Sequence, residues 1–443
     1  MPWGKGDLPP FFIHFFRFNR SSCYIDSNEA GAKNMPDRNY SGRVTNQEFI
    51  ADLMGRVREM LPLLNSDEIT GLLDALASSI DSQISWIEGV NSAREQLVNS
   101  IPGTHSSTKL GELHSELNRI EMERFLKLPS VPVLHKSCTE YRDILAGKAL
   151  ELVTEEMKAS GLMQPQLPFA LISMGSDGRE EQTLITDQDY LIVYGDNGGE
   201  EADRYFTKFS ELLVERLVEV GFKKCTGDIM PSNPTWRGSM SQWKKKLLAI
   251  VRYEYEDYAK NLMDLIVLSD ARYVAGNREL AGELIDLIRG LEKEYFHVLW
   301  GMAKAATEMK LALGFLKRIW TEGSGEHKGE FNLKLLAWAP LVMNIRIISI
   351  NQGIPATSTL ERIELLRKEG SFSGSMAGGL KDAYHILTRY RILQQIKVIK
   401  GIQKDSYYIN PYQLPADERE HMRQAIMRIE DLQKVIHANF HIV

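Results

Sequence analysis

Two short apolar runs near the middle of the chain predict a pair of buried strands. The first covers residues 169–174 and the second covers residues 190–194, and each is an unbroken apolar run of strand length. Gly175 and Ser176 end the first run, and mostly polar residues fill the interval before the second. The pattern therefore predicts a strand, a turn with a short helix, and a second strand, in that order.

Apolar residues recur at helical spacing through most of the remaining chain. A helix that follows the second strand is closed by Gly221, and residues 222–225 then form a short strand candidate. Nearly everything after residue 243 has a helical pattern. The predicted helices include 50–64, 66–80, 110–126, 139–162, 202–220, 261–272, 331–352, one that begins at the capping box Ser358 to Glu361, and 415–440.

These elements predict an α+β fold that is mostly helical, with one small sheet-and-helix unit. Residues 1–44 mix Pro, Gly, Ser and Asn without a period, which predicts a loose extension. The predicted units are the extension 1–44, a helical segment 45–162, the sheet-and-helix unit 163–275 and a C-terminal helical bundle 276–443.

Two stretches of the C-terminal part carry further expectations. The basic residues of the stretch 383–400 are interspersed with apolar ones, which predicts a solvated basic helix face, with contact to an acidic partner as the alternative; they are Arg389, Arg391, Lys397 and Lys400. The Ser- and Gly-rich residues 370–379 predict a mobile connection.

Composition and charge limit the classes of protein to which this chain could belong. The 443 residues carry a net charge of −6, which gives no general attraction to nucleic acid. No apolar run reaches the length of a membrane span, and no signal-peptide pattern precedes residue 45. The cysteines Cys23, Cys138 and Cys225 show no paired spacing, which excludes a cysteine zinc site and predicts a reducing, cytoplasmic location.

The polar interval between the two strands holds the densest set of chemical signals. Asp187 and Asp189 are two positions apart, so on a strand they point to the same face and can bind one hard cation through oxygen. Gly175 allows close approach of the backbone to a ligand, and Ser176 opens a short helix whose N–H groups favour a phosphate. Arg179 is placed to fork onto that phosphate. Each feature alone is also typical of an ordinary solvated turn.

The residues of this interval resemble a known family. Residues 175–182 read G-S-D-G-R-E-E-Q and residues 186–189 read T-D-Q-D, and this pattern is similar to that of nucleotidyltransferases in bacterial signal-transduction proteins with CBS or cyclic-nucleotide domains. More distantly, it resembles the nucleotidyltransferase domain of protein-PII uridylyltransferase, within the DNA polymerase beta-like superfamily. The resemblance extends over roughly residues 115–440.

The resemblance implies an activity and a set of ligands. It implies transfer of a nucleotidyl group from a nucleoside triphosphate to an acceptor hydroxyl, with Mg²⁺ or Mn²⁺ held by Asp187 and Asp189, and a signalling protein as an acceptor or regulatory partner. Gly175, Ser176 and Arg179 would contact the triphosphate. Glu181 matches a family position on the same short helix, where an ion pair with Arg179 is its expected role.

Polymerase beta-like enzymes usually carry a third metal-binding carboxylate. Asp228 follows the strand candidate 222–225 and is the predicted third ligand, with Asp264 and Asp270 as alternatives in a predicted helix. Arg237, beside Trp236, is a candidate for nucleotide contact, against an alternative in which Trp236 fills the core and Arg237 lies on the surface. Two other functions stay open: a nucleotide-binding regulatory module without turnover, and a helical interaction protein.

Overall fold

The computed structural model describes residues 66–252 and 258–442 and shows a mostly helical α+β fold. The predicted extension 1–44 and the predicted helix 50–64 lie outside the described residues. The helices of the N-terminal part and the sheet unit are α1 (Ser66–Ser100), α2 (Ser107–Lys127), α3 (Val131–Ala159), α4 (Gly175–Gly178), α5 (Gly199–Val220), α6 (Met240–Val251) and α7 (Tyr258–Leu268).

The C-terminal part consists of further helices and one small sheet. Its helices are α8 (Arg278–Glu294), α9 (Phe296–Thr307), α10 (Ala339–Asn351), α11 (Thr359–Lys368), α12 (Gly374–Ile399) and α13 (Ala416–Asn439). A π-helical turn, Lys334–Trp338, precedes α10. The strands of the whole chain are β1 (Phe169–Ser173), β2 (Asp187–Gln188), β3 (Tyr190–Tyr194), β4 (Lys223–Lys224), β5 (Arg237–Ser239), β6 (Arg272–Gly276), β7 (Phe331–Asn332) and β8 (Tyr408–Ile409).

A four-stranded sheet with the order β5-β3-β1-β6 forms the centre of the sheet unit. β1 runs antiparallel to β3 and β6, whereas β5 is parallel to β3. Every residue of β1 and β3 is buried, which explains why their sequences are continuous apolar runs. Ser173 lies opposite Tyr190, so the C-terminal end of β1 and the N-terminal end of β3 lie side by side at the same end of the sheet.

Helices cover the sheet and connect it to the rest of the chain. α5 buries an aromatic face against the sheet, where Phe206 stacks on Tyr194 with ring centroids 4.3 Å apart. Gly221 ends α5 with φ +105, a left-handed conformation that glycine adopts without a side-chain penalty. α2 and α3 pack on α5, and α3 also packs on β6.

A second, smaller sheet holds the acidic segment beside the predicted strand 222–225. β2 and β4 pair in parallel, with Asp187 opposite Lys223. This pairing confirms that a short strand after α5 lies next to the two aspartates. Their positions are further linked to β1, because Met174 N donates to Asp189 O over 2.8 Å.

The helix predicted over residues 261–272 is wrong beyond Leu268. α7 ends there, Ser269 to Ala271 form a turn, and Arg272–Gly276 pair with β1 as an edge strand. The sequence pattern could not predict where the helix ends and the strand begins, because a buried helix and a buried strand have similar apolar composition over short stretches. Similarly, the predicted helix 331–352 begins as β7, since Phe331 pairs with Ile409 far along the chain.

The prediction of a solvated basic face on α12 is also wrong for two of its residues. α12 packs between α11 and α13, which buries Lys397 and turns Arg391 toward an internal cavity. The Ser- and Gly-rich stretch begins α12 at Gly374, where Ser373 Oγ accepts from Met376 N over 3.2 Å. Within the described ranges, no helix combines the length and apolar character needed to cross a lipid bilayer.

Candidate active site

A cavity of about 300 Å³ lies where the sheet unit meets the C-terminal helices. The sheet unit contributes the turn after β1, the segment from Thr183 to Asp189, and β4. The C-terminal part contributes the π-helical turn, α10, α12 and the segment before β8, while α7 forms a further wall. Five of the eight predicted site residues line this cavity: Gly175, Ser176, Arg179, Asp187 and Asp189.

Asp189 carries an oxygen without a partner. Its Oδ1 is buried and accepts no hydrogen bond from the described residues. Burial raises the pKa of Asp189 to about 7, and the charge of Asp187 raises it further, while a hydrogen bond from the Cys225 thiol and the charge of Lys334 act in the opposite direction. Two carboxylates with an unused oxygen fit a divalent cation that completes its coordination with phosphate oxygens and water.

Gly175 is required by the geometry of this carboxylate. Its φ is +58, and a Cβ added to it would overlap Asp189 Oδ2. A larger residue there would strain the backbone and displace the aspartate. Ser176 also lines the cavity, but α4 is a single turn of four residues. Any phosphate contact here therefore depends on the turn itself more than on a helix dipole.

Arg179 is buried and held by two acids. Its Nε donates to Glu181 Oε2 over 2.8 Å, and its Nη1 donates to Asp270 Oδ2 over 2.6 Å. Glu181 therefore makes the ion pair with Arg179 that the sequence predicted. Its second oxygen, Oε1, accepts from Thr359 N over 2.7 Å, so the same carboxylate also caps the start of α11.

Asp270 joins the sheet unit to the C-terminal helices. Besides Arg179, its carboxylate accepts from Arg346 on α10 and from Arg362 on α11. Burial alone would raise the pKa of Asp270, but the three guanidiniums outweigh it and lower that pKa. Both oxygens of this carboxylate already accept hydrogen bonds from arginines, so Asp270 has a structural role and is not a free metal ligand.

The predicted third metal ligand, Asp228, does not line the cavity. It lies exposed in a turn with φ +56, where Asn233 Nδ2 donates to its Oδ2 over 2.9 Å. Asp264 pairs with Lys260 over 3.1 Å and is likewise absent from the cavity lining. The described residues contain no group of three His, Cys, Asp or Glu side chains placed to hold a metal ion. The position of Asp228 thus corrects its predicted location: a loop that follows the correct strand leads away from the site.

Arg237 is not at this cavity either. Its Nη1 donates to Pro231 O and Ser232 O, and its Nη2 donates to Thr207 Oγ1. Trp236 is buried in the core. The structure therefore favours the alternative in which Trp236 fills the core. Arg237 stabilises the loop before β5 through its hydrogen bonds to the loop carbonyls.

Several residues of the site were not singled out by the sequence. Trp338, Arg346 and Arg391 enter the cavity from helices more than 140 residues beyond the aspartates in the chain. Arg142 on α3 is fully buried and donates to the backbone carbonyls of Thr183 and Leu184, which hold the approach to Asp187. Periodicity predicted the helices that carry these residues, but no spacing in the sequence connects them to the motif.

Comparison with known proteins identifies family matches in two parts of this chain. Residues 122–257 match the family described as "Putative nucleotidyltransferase DUF294", and residues 296–440 match the "Putative nucleotidyltransferase substrate binding domain". A curated relative, the bifunctional glutamine synthetase adenylyltransferase/adenylyl-removing enzyme of Rhizobium meliloti (strain 1021), is 24% identical over 158 residues. That match covers 33% of this chain but only 16% of the relative's length.

The two family matches fall on the two sides of the cavity. The first contains Gly175, Asp187 and Asp189, and the second contains the π-helical turn, α10 and α12. The descriptions of the two families agree with the resemblance noted from the sequence. This chain belongs to the family of nucleotidyltransferases that these two models describe.

Proposed function

We propose that this protein transfers a nucleotidyl group from a nucleoside triphosphate to a hydroxyl of a partner protein, with a divalent metal ion and with pyrophosphate as the leaving group. The observation that carries the proposal is the pair Asp187 and Asp189, which face one cavity from a family motif, with Asp189 Oδ1 unpartnered. The relative's name assigns it adenylyltransferase activity on glutamine synthetase, which supports a protein acceptor.

Each residue of the motif has a part in this proposal. Asp187 and Asp189 would hold Mg²⁺ or Mn²⁺, which when bound neutralises phosphate charge and lowers the pKa of the attacking hydroxyl. Gly175 and Ser176 would present the turn after β1 to the triphosphate. Arg179 would face it with a guanidinium already oriented by Glu181 and Asp270.

A binding module without turnover is the second candidate. It is favoured by the absence of a third metal-ligating group near the two aspartates within the described residues. Because Mg²⁺ is often held by one or two carboxylates plus substrate phosphates, two ligands suffice for metal-nucleotide binding in either case. The two candidates differ only in whether label moves from the nucleotide to an acceptor.

The decisive experiment is an incubation of the purified protein with each common nucleoside triphosphate, labelled at the α-phosphorus, with Mg²⁺ or Mn²⁺ and a cell lysate. We expect metal-dependent transfer of label to a protein. Asp187→Asn combined with Asp189→Asn should lower transfer by more than about 100-fold, because the loss of outer-shell metal partners alone costs 10–100-fold.

Asp228→Asn is the matched control, since this aspartate lies outside the cavity lining. We expect it to keep transfer within about twofold of the parent protein, as is usual for an exposed position away from the chemistry. Full transfer by the Asp187/Asp189 variant would refute the site. Metal-dependent nucleotide binding without any transfer would establish the binding module.

A further inference from the structure

Arg391 on α12 is a cation of the cavity without an acid in contact. Its guanidinium lies over the indole of Trp338, 3.8 Å from the ring centroid, and it lines the cavity. Within the ranges that the structure describes, it donates no hydrogen bond and forms no ion pair. An arginine side chain has five N–H donors, so this guanidinium retains its whole capacity to bind an anion.

The other guanidiniums of the region are already neutralised. Arg179, Arg346 and Arg362 share the carboxylate of Asp270, and Arg179 also pairs with Glu181. Burial lowers the pKa of Arg391, with only weaker compensation from surrounding groups that include Glu181. A half-buried cation without an acid in contact costs free energy, and that cost is recovered when an anionic ligand binds.

Further cations surround Arg391 and define the kind of anion. Arg179 also lies over the Trp338 ring, 5.5 Å from its centroid, and Lys334 lines the cavity from the same π-helical turn as Trp338. The indole is held in place because its Nε1 donates to Thr388 Oγ1 over 3.1 Å. Because Arg179 is paired with acids, Arg391 and Lys334 are the cations that would meet a ligand beside this ring, and two of them suit a ligand with several negative charges, such as a chain of phosphates.

We propose that Arg391 binds the β- and γ-phosphates of the nucleoside triphosphate, with Trp338 fixing the plane of the guanidinium. This inference rests on the proposed function and extends it. The C-terminal helical part then supplies a direct contact to the group that leaves as pyrophosphate. Asp187 and Asp189 remain at the catalytic edge of the sheet, and the nucleotide bridges the two family domains.

The test compares Arg391→Gln with Arg389→Gln. Arg389 lies on the same helix, is half-exposed and comes no closer than 3.9 Å to Glu418, which makes it a matched control. The probes are inorganic tripolyphosphate, a nucleoside triphosphate and the corresponding monophosphate, each titrated by calorimetry with Mg²⁺ present. We expect Arg391→Gln to weaken binding of the first two by about 10- to 100-fold and of the monophosphate by less than about twofold.

Thermal melts without ligand separate binding from folding. Arg391→Gln should melt at the parent temperature or above it, because the substitution removes a cation that lacks an acid in contact. If Arg391→Gln melts lower, Arg391→Lys provides the second variant, which keeps the charge but lacks the fork. We then expect the lysine variant to bind tripolyphosphate with an affinity between those of the parent and the glutamine variant.

Unchanged tripolyphosphate affinity in Arg391→Gln would overturn the inference, and so would an equal loss for the monophosphate. A parent protein that binds tripolyphosphate through Arg391 but never transfers label would uphold this inference while refuting the proposed transfer. If the parent protein transfers label and Arg391→Gln binds tripolyphosphate as tightly as the parent does, the proposed transfer is upheld and the inference about Arg391 is refuted.

Discussion

The carboxyl group of Asp189 is buried at a cost in free energy. It lies between β2 and β3, close to the backbone of Gly175, with Asp187 nearby and one oxygen unpartnered. Burial and the neighbouring carboxylate both disfavour its charged form. A cation placed between the two aspartates would offset that cost.

The first prediction concerns the pH dependence of stability at this residue. The folded pKa of Asp189 is about 7, above the value of about 3.9 for an unfolded aspartate. The folded state therefore binds more protons than the unfolded state between pH 4 and 7, and the free energy of unfolding falls as pH rises through that window. The slope attributable to this one group is at most about 1.4 kcal/mol per pH unit.

Urea denaturation in a chelator, from pH 4 to pH 8, measures this effect. Asp189→Asn should lack the slope and exceed the parent protein in stability at pH 8, while the exposed Asp431→Asn should follow the parent throughout. Parallel curves for Asp189→Asn and the parent would contradict the raised pKa. In the parent, added Mg²⁺ should stabilise the fold more at pH 8 than at pH 5, because metal and proton compete for the carboxylate.

Among the elements, α3 organises the loop that presents the acidic motif. Arg142 on α3 donates to Thr183 O, Leu184 O and the side chain of Gln182, and its Nε donates to His114 Nε2. Burial, and then the charge of Arg142, lower the pKa of His114 to about 3, so the imidazole is neutral and accepts this bond. One helix residue thereby satisfies loop carbonyls that would otherwise be buried without partners.

The second prediction follows from this arrangement. Arg142→Gln should lower the free energy of unfolding by about 2–4 kcal/mol, because it leaves several buried acceptors unpaired. Nucleotide affinity should fall as well, since the segment that leads to Asp187 loses its anchor. Chemical denaturation and calorimetric titration measure the two effects.

Arg119 provides the control for this prediction. It is exposed on α2 and pairs with Glu116 and Glu123, so Arg119→Gln should change stability by less than about 1 kcal/mol. Equal effects of the two substitutions would show that the buried hydrogen bonds of Arg142 do not hold the loop.

Across the whole molecule, the buried charges around Asp270 connect the two family domains. Asp270 lies in the turn before the edge strand β6, Arg179 follows the turn after β1, and Arg346 and Arg362 belong to α10 and α11. Glu181 adds a link by capping α11. The cavity is lined by both the sheet unit and the C-terminal helices, so the ion pairs of Asp270, which join these two parts, help to hold the cavity in shape.

The third prediction is that Asp270→Asn destabilises the protein by about 3–5 kcal/mol, because it leaves three buried guanidiniums without their shared acid. The lowered pKa of Asp270 adds stability that is present above the ordinary carboxyl pKa and is lost as the pH falls through the folded value. Thermal and urea denaturation near pH 7 measure the loss. The exposed Asp286→Asn should change little, and a similarly small effect at Asp270 would mean that the network is not needed for the fold.

Local sequence determined a large part of this protein. The apolar runs at 169–174 and 190–194, the glycine that ends α5 and the spacing of Asp187 and Asp189 are short-range features, and they predicted the strands, the turn and the acidic pair. Glycine at 175 and at 221 reflects positive φ, which is a property of the local backbone. Most helices followed from periodicity for the same reason, since a helix is formed by contacts within a few residues.

Only the tertiary structure decided which residues complete the site. Asp228 follows the correct strand but its turn leads away from the cavity, whereas Arg391 is distant in the chain and lines it. β6 and β7 are strands because β1 and β8 pair with them, and such pairing depends on partners far along the chain. The charges of Asp270 and its arginines come from four separate segments, so their association required the packing of the C-terminal helices against the sheet unit.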